Sequence, residues 1–235
     1  ANGVTEILEP EKSRDHSENM LAAMGASIQV DGLRIQLQPG KELSPQEFLV
    51  PGDISAAAFF LVAATIVPGS ELKICDIGIN PTRTGIIEVL QQMGANIKLE
   101  NQRTIGGEMM ADIIVTASEL KGVKIEGEII PRLIDEVPVL AVAMALAEGE
   151  SEVKEAGELR IKETDRIAAI CSELGKMGVA ITELGDGFRI KGKQQLPQGV
   201  KVDSYGDHRI AMSLAVASLI AEGETTIGNA GAVNI

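Results

Sequence analysis

Tryptophan is absent from this chain, and its 235 residues include one tyrosine and four phenylalanines. Platforms that stack the bases of single-stranded nucleic acid need such rings, so nucleic acid is not an expected partner. Charge excludes it independently. With 21 Lys and Arg against 34 Asp and Glu, the formal charge is −13, and a duplex or an anionic membrane would repel such a surface. The only cysteines, Cys75 and Cys171, lie far apart in apolar contexts and match no metal spacing. They read as buried free thiols. His16 and His208 are the only histidines, so neither a His-based metal site nor a cofactor is expected. The longest apolar runs, Ile54–Val67, Val137–Ala147 and Ile210–Ala221, fall short of the ~20 residues that cross a bilayer. No signal-peptide pattern is visible, and a reducing cytoplasm is the expected compartment. Phosphate-binding Gly-rich loops, dinucleotide fingerprints and Ser/His/Asp or Cys/His arrangements are missing too.

What is present is repetition. Apolar residues make up 45% of the chain, enough for a sizeable core in one large or two smaller domains. The three apolar runs end alike, at Pro68-Gly69, Glu148-Gly149 and Glu222-Gly223, and follow Asp53, Asp135 and Asp207. Each reads as a buried helix with Asp as its N-cap and Gly as a left-handed C-terminal cap. A second element, Leu-x-x-Met-Gly, recurs at Leu21–Gly25, Leu90–Gly94 and Leu174–Gly178. It closes an amphipathic helix and leads into a strand. Asp31-Gly32 and Asp186-Gly187 mark hairpin turns. The unit is therefore buried helix, short strand, amphipathic helix and β-hairpin, repeating roughly every 70–80 residues as stacked supersecondary units. Ala1-Asn2-Gly3 reads as the tail of such a helix, and the last copy stops at Ile235 before its amphipathic helix. A fragment, or one chain of a split protein, is the expectation. Pro39, Pro45 and Pro51 bracket the best candidate for a domain junction, dividing residues 1–50 from 51–235.

Five of the seven residues from Arg160 to Arg166 are ionisable, and Ile167, Ile170, Cys171, Leu174 and Met177 follow at helical spacing. Cations at a helix amino end make an anion site, and Glu163 beside Lys162 and Arg166 is placed to move a proton. Asp207-His208-Arg209 repeats that logic before the next apolar run. Equivalent helix ends of repeated units tend to share one side, which brings the two clusters together. Asp135 then reads either as a helix-dipole partner or as a base kept ionised by nearby cations. Arg14 and Arg83 head successive amphipathic helices, and Asp53 is most simply a cap. The residues thus describe an anionic small molecule held between helix ends by Lys and Arg, with carboxylates for proton transfer. A solvated set of caps and local ion pairs is the alternative.

Lys162-Glu163-Thr164-Asp165-Arg166, Gly206-Asp207-His208-Arg209, Leu133-Ile134-Asp135-Glu136, Ser13-Arg14-Asp15-His16, Pro51-Gly52-Asp53 and Asn80–Gly85 occur in order along the chain. Together they resemble the 5-enolpyruvylshikimate-3-phosphate synthase family, roughly its second half. The resemblance implies an α/β fold of repeated βαβαββ units with buried parallel helices, an inside-out α/β barrel. Residues 1–50 would be the remnant of an amino-terminal domain, and 51–235 a carboxy-terminal domain of three units with the last cut short. It implies transfer of the enolpyruvyl group of phosphoenolpyruvate to the 5-hydroxyl of shikimate 3-phosphate, releasing phosphate. Asp135 would be the base, Glu163 the acid, Arg14 and Lys162 shikimate 3-phosphate contacts, and Arg166, Arg209 and His208 the phosphoenolpyruvate contacts. The missing amino-terminal half would be a partner, and this chain alone inactive. A UDP-N-acetylglucosamine enolpyruvyl transferase shares the implied architecture, and a non-catalytic repeat domain stands as the second alternative.

Overall fold

The structure is a computed structural model describing residues 2–193, 196 and 200–234. Ala1 and Ile235, which bound the repeats at either end, lie outside the described residues. In chain order the elements are β1 (Thr5–Leu8), α1 (His16–Ala23), β2 (Ile28–Asp31), β3 (Arg34–Leu37), α2 (Ile54–Ile66), β4 (Glu71–Gly78), α3 (Gly85–Gln92), β5 (Asn96–Ile105) and β6 (Glu108–Thr116). There follow β7 (Lys124–Ile125), α4 (Val137–Leu146), β8 (Glu150–Val153), α5 (Arg166–Lys176), β9 (Ala180–Glu183), β10 (Phe188–Lys191), β11 (Lys201–Asp203), α6 (His208–Ser218) and β12 (Thr226–Gly228).

Sheet topology makes the repeat explicit. The fullest copy has strand order β7-β8-β10-β9, with β7 parallel to β8 across α4 and β10 antiparallel to both neighbours. The copy before it has order β4-β6-β5, its first strand reduced to one parallel bridge between Gly52 and Ile77. β1-β3-β2 reproduces the second half of the unit, and parallel β11-β12 the first half. These are βαβαββ units.

Helices α2, α4 and α6 pack on one another at the centre. Alanine makes that approach possible: Ala57, Ala58, Ala64, Ala141, Ala143, Ala145, Ala211 and Ala217 are all buried. Sheets and amphipathic helices surround them, with α2 against β4 and β6, α4 against β10 and α5, and α6 against β12. The three buried helices run parallel. Their amino ends meet in a polar cluster, while Ile66, Leu146 and Leu219 at their other ends line a common cavity of about 720 Å³.

Leu-x-x-Met-Gly terminates α1, α3 and α5 by one geometry. In α3, Met93 is the C-cap, Gly94 has φ +100°, and the amides of Gly94 and Ala95 donate to the carbonyls of Gln91 and Leu90 at 3.0 and 2.9 Å. That is the Schellman motif, and Gly25 and Gly178 repeat it. The buried helices end differently. Gly69 and Gly149 are left-handed, but α2 and α4 close on extended Val67 and Ala147 two residues earlier. The expected glycine caps there are turn residues leading into the next strand.

Cys75 corrects another expectation. It is exposed, while Cys171 is buried and burial pushes its thiol up to about 12. The reason is strand alternation: Cys75 shares the exposed face of β4 with Glu71 and Lys73, while Leu72 and Ile74 turn inward. Alternation breaks only beyond it, where Asp76 is left-handed at φ +58° and the β4–β6 register shifts between Ile74 and Ile77. A matching shift lies between Glu100 and Arg103 on β5. Asp112 on β6, the strand between them, accepts from Asn101 Nδ2 at 2.8 Å, Lys73 Nζ at 3.0 Å and the Asp76 amide at 3.1 Å. The Asn101 hydrogen bond, then those of Lys73 and Asp76, hold its carboxyl at about 2 against an ordinary 3.8. A depressed carboxyl stabilises the fold fully above its unfolded value and loses that contribution as pH falls through its folded value. Asp112→Asn should therefore lower the melting temperature most near neutral pH, with parent and variant converging toward pH ~2. Thermal unfolding across pH checks this, and a pH-independent difference would refute it.

Residues 38–51 carry no regular secondary structure. The first unit is nonetheless tied to the second. His16 Nδ1 lies 2.8 Å from Glu108 Oε1, and Asn80 Nδ2 donates to Asp15 Oδ1 at 2.7 Å. These contacts bring Arg14 to the amino ends of the buried helices.

Candidate active site

Asp135 is the centre of the polar cluster. It sits in the 3-10 turn Ile134–Glu136, and four cations from three parts of the chain converge on its carboxylate. Arg14 Nη2 is 2.9 Å away, Arg166 Nη1 3.4 Å, Arg209 Nη2 3.7 Å and Lys162 Nζ 3.9 Å. Burial raises the Asp135 carboxyl, but the positive field of Arg209, the Arg14 hydrogen bond and Lys162 outweigh it and hold the group below its ordinary value. The carboxylate is ionised at neutral pH. Asp135 does not cap α4, contrary to the repeat pattern: the intervening 3-10 turn makes Glu136 the cap position, with no side-chain cap bond. Freed from that task, Asp135 faces the cations.

Asp207 performs both tasks at once. Its Oδ1 accepts from the amides of Arg209 and Ile210 at 2.8 and 3.3 Å, capping α6, while Oδ2 accepts from Arg166 Nε at 2.7 Å. Both partners of that ion pair are inaccessible, Arg166 at 1% and Asp207 at 0% exposure. Glu163 lies outside it, 51% exposed, accepting from Arg166 Nη2 at 2.6 Å. Arg166 thus spans Asp207, Asp135 and Glu163, and the two charged clusters of the sequence become one. His208 is the first residue of α6, beside them and only partly covered.

Asp165 and Arg160, in the same stretch, are structural. The helix begins at Arg166, with Asp165 as its N-cap accepting from the Ala168 amide at 3.0 Å. Arg160 precedes the helix and turns away to Asp165, Glu183 and the Gly185 carbonyl. Lys162 is shared between Asp135 and Glu158. Among the described residues no three His, Cys, Asp or Glu side chains group as metal ligands.

All of residues 1–235 match the family described as EPSP synthase (3-phosphoshikimate 1-carboxyvinyltransferase). The chain belongs to this family. It is 64% identical to the 3-phosphoshikimate 1-carboxyvinyltransferase of Syntrophomonas wolfei over 100% of this chain and 55% of that protein. It is 55% identical to the enzyme of the same name from Synechocystis, over 99% of this chain and 52% of that one. The solved EPSP synthase of Acinetobacter baumannii superposes with TM-score 0.94 at 43% identity, covering 99% of this chain and 54% of that chain. The enolpyruvyl transferase NikO from Streptomyces tendae, at 21% identity and TM-score 0.76, shares the fold over 99% of this chain and 52% of its own. The chain spans about half the length of the curated relatives it matches.

In this EPSP synthase family chain, one polar network escaped the sequence reading. Arg83 Nη2 donates to Ser55 Oγ at 2.7 Å and lies 3.1 Å from Asp53 Oδ1, and the Ser55 hydroxyl donates to Glu136 Oε1. Ser55 and Glu136 are buried. The available signal was a hydroxyl in an otherwise apolar run, which Ser55 shares with Thr65. Thr65 donates to its own helix at the Leu61 carbonyl, a local role that sequence does not distinguish from a tertiary one.

Proposed function

We propose that this chain carries the catalytic carboxylates and half of the anion grip for carboxyvinyl (enolpyruvyl) transfer from phosphoenolpyruvate to shikimate 3-phosphate. The convergence of Arg14, Lys162, Arg166 and Arg209 on Asp135, in a protein of net charge −13, carries this reading. Four cations gathered at one point of an acidic surface are matched by polyanionic substrates, and no structural requirement for so many is evident around one carboxylate.

Asp135 accepts the proton of the 5-hydroxyl as its oxygen bonds to C2 of phosphoenolpyruvate, while Glu163 protonates the C3 methylene. The tetrahedral adduct then collapses: Glu163 takes a proton back from C3, and phosphate leaves from C2 with the proton that Asp135 took from the hydroxyl. Arg209 and His208 hold phosphoenolpyruvate, Arg166 (1% exposed) joins them only as Glu163 gives up its Nη2 contact, and Arg14 and Lys162 hold the 3-phosphate. A carboxylate flanked by four cations is a weak base. Substrate phosphates and the carboxylate of phosphoenolpyruvate draw those cations toward themselves, so Asp135 gains basicity when the site fills.

The division at residues 1–50 and 51–235 belongs to this reading, as does the cytoplasm, where the free thiols Cys75 and Cys171 stay reduced. The partner is the half of the relatives that this chain does not span. Val4, Ile7, Leu8, Val30, Leu43, Phe48, Leu49 and Val50 are exposed on the first fifty residues and suit an apolar contact with it. Each charge-assisted contact from that half contributes about 1.5–3 kcal/mol. Without two or three of them the chain alone binds its substrates too weakly to turn over.

Phosphate release from shikimate 3-phosphate plus phosphoenolpyruvate tests the reading, for the chain alone and mixed with the complementary half of a relative. Turnover in the mixture alone is expected. Turnover by the chain alone would refute the half-site reading. Silence in a mixture shown to associate, together with thermal stabilisation by a UDP-amino sugar in place of shikimate 3-phosphate, would overturn the substrate.

A further inference from the structure

Next to Asp135 lies a second polar network, built on the buried side chains of Ser55 and Glu136. Asp135 and Glu136 are consecutive in one 3-10 turn and their side chains diverge. Asp135 faces Arg14, Lys162, Arg166 and Arg209. Glu136 enters the interior, where it accepts the hydroxyl proton of Ser55, and Ser55 Oγ accepts from Arg83 Nη2 at 2.7 Å. Arg83 is also 3.1 Å from Asp53, the N-cap of α2. The network therefore ties the amino end of α2, the loop before α3 and the turn before α4 to a single point. We infer that Glu136 is a positioning residue: anchored by Ser55 and Arg83, it fixes the turn that presents the Asp135 carboxylate to the cations.

Stability does not account for a carboxyl in this place. Burial pushes Glu136 above its ordinary value, Asp135 adds to that, and Ser55, Arg83 and Arg209 only partly oppose it. A raised carboxyl destabilises the fold increasingly as pH rises through its folded value, so at neutral pH an apolar side chain would serve folding as well or better. A neighbouring helix junction held by a rigid, directional hydrogen-bond chain serves geometry instead. A short turn has few internal bonds of its own, since the Glu136 amide donates only to the Leu133 carbonyl at 2.9 Å. The Ser55 anchor supplies what that turn lacks.

The inference rests on Asp135 being the base, and its test separates the two. Carboxyl-carbon NMR titration of Asp135, assigned with Asp135→Asn, is followed in the full chain and in Ser55→Ala and Glu136→Gln, with circular dichroism confirming each fold. Ser55→Ala loosens the turn, and the Asp135 midpoint should move up toward the ordinary carboxylate range as the cations are lost. Glu136→Gln keeps the Ser55 bond and removes a like charge, so the midpoint should stay or move down. In the mixture with the complementary half, Ser55→Ala should lower kcat about tenfold with little change in KM. An Asp135 midpoint unmoved in Ser55→Ala overturns the positioning role, whatever the activity. A midpoint that moves while phosphate release is unaffected upholds the positioning role and removes Asp135 as the base.

Discussion

Arg166→Ala is expected to be the most destabilising single substitution at this site, costing about 3–5 kcal/mol. Arg166 and Asp207 are both buried, and their Nε–Oδ2 distance is 2.7 Å. Truncating the arginine leaves a carboxylate at 0% exposure without its counterion, and such an uncompensated charge is far more costly than the intact pair is favourable. At ~2–4 °C per kcal/mol for a chain of this size, the melting temperature should fall by about 10 °C. Asp207→Asn should cost less, because Asn still caps α6 through its side-chain oxygen. Arg166→Met combined with Asp207→Asn should recover much of the loss, since it removes both buried charges. Chemical denaturation of the parent, Arg166→Met, Asp207→Asn and their combination closes a double-mutant cycle that measures the coupling. A loss below ~1 kcal/mol for Arg166→Ala would show that the pair is solvated and the buried geometry wrong.

That prediction also shows what the sequence could and could not reveal. The fold was legible because repeats state it more than once. Three Leu-x-x-Met-Gly elements predict three helix ends, and each is a Schellman motif with the glycine at positive φ. Apolar runs without a polar face predict buried helices, and α2 and α4 are buried almost throughout. Convergence of the charged clusters was legible for the same reason: equivalent helix ends point the same way. What escaped is tertiary. Only Pro138, in the first turn of α4, distinguishes locally Asp135, which does not cap a helix, from Asp53 and Asp207, which do. The difference lies in a 3-10 turn inserted before α4 and anchored by Ser55, a residue 81 positions from Glu136. Exposed Cys75 was legible in strand alternation, which puts it on the face of β4 that carries Glu71 and Lys73, but not in its apolar neighbours Ile74 and Ile77.

Glu163→Gln should have the opposite signature to Arg166→Ala: almost no change in stability and a large loss of turnover. Glu163 is half exposed, and its contact to Arg166 Nη2, though 2.6 Å, is of the kind worth about 0–1 kcal/mol. Arg166 keeps Asp207 and Asp135 as partners when Glu163 becomes neutral. Unfolding free energy should therefore stay within about 0.5 kcal/mol of the parent. Chemistry should not be spared. A glutamine retains size and hydrogen bonding but cannot pass a proton to the methylene carbon of phosphoenolpyruvate and take it back. Positioned general acids and bases contribute about 10²–10⁴-fold, and kcat in the mixture with the complementary half should fall by that amount with KM nearly constant, the pattern of a group that acts in the transition state. The ordering matters as much as the size. If the charged clusters were only caps and ion pairs, substitutions would rank by burial, with Arg166 severe and Glu163 silent in every assay. A Glu163→Gln protein that folds like its parent yet turns over at least a hundredfold more slowly breaks that ranking, because burial cannot explain it. Less than a tenfold loss would move proton transfer to carbon away from Glu163, leaving Asp135 as the one ionisable carboxylate at the cluster's centre with a proton role.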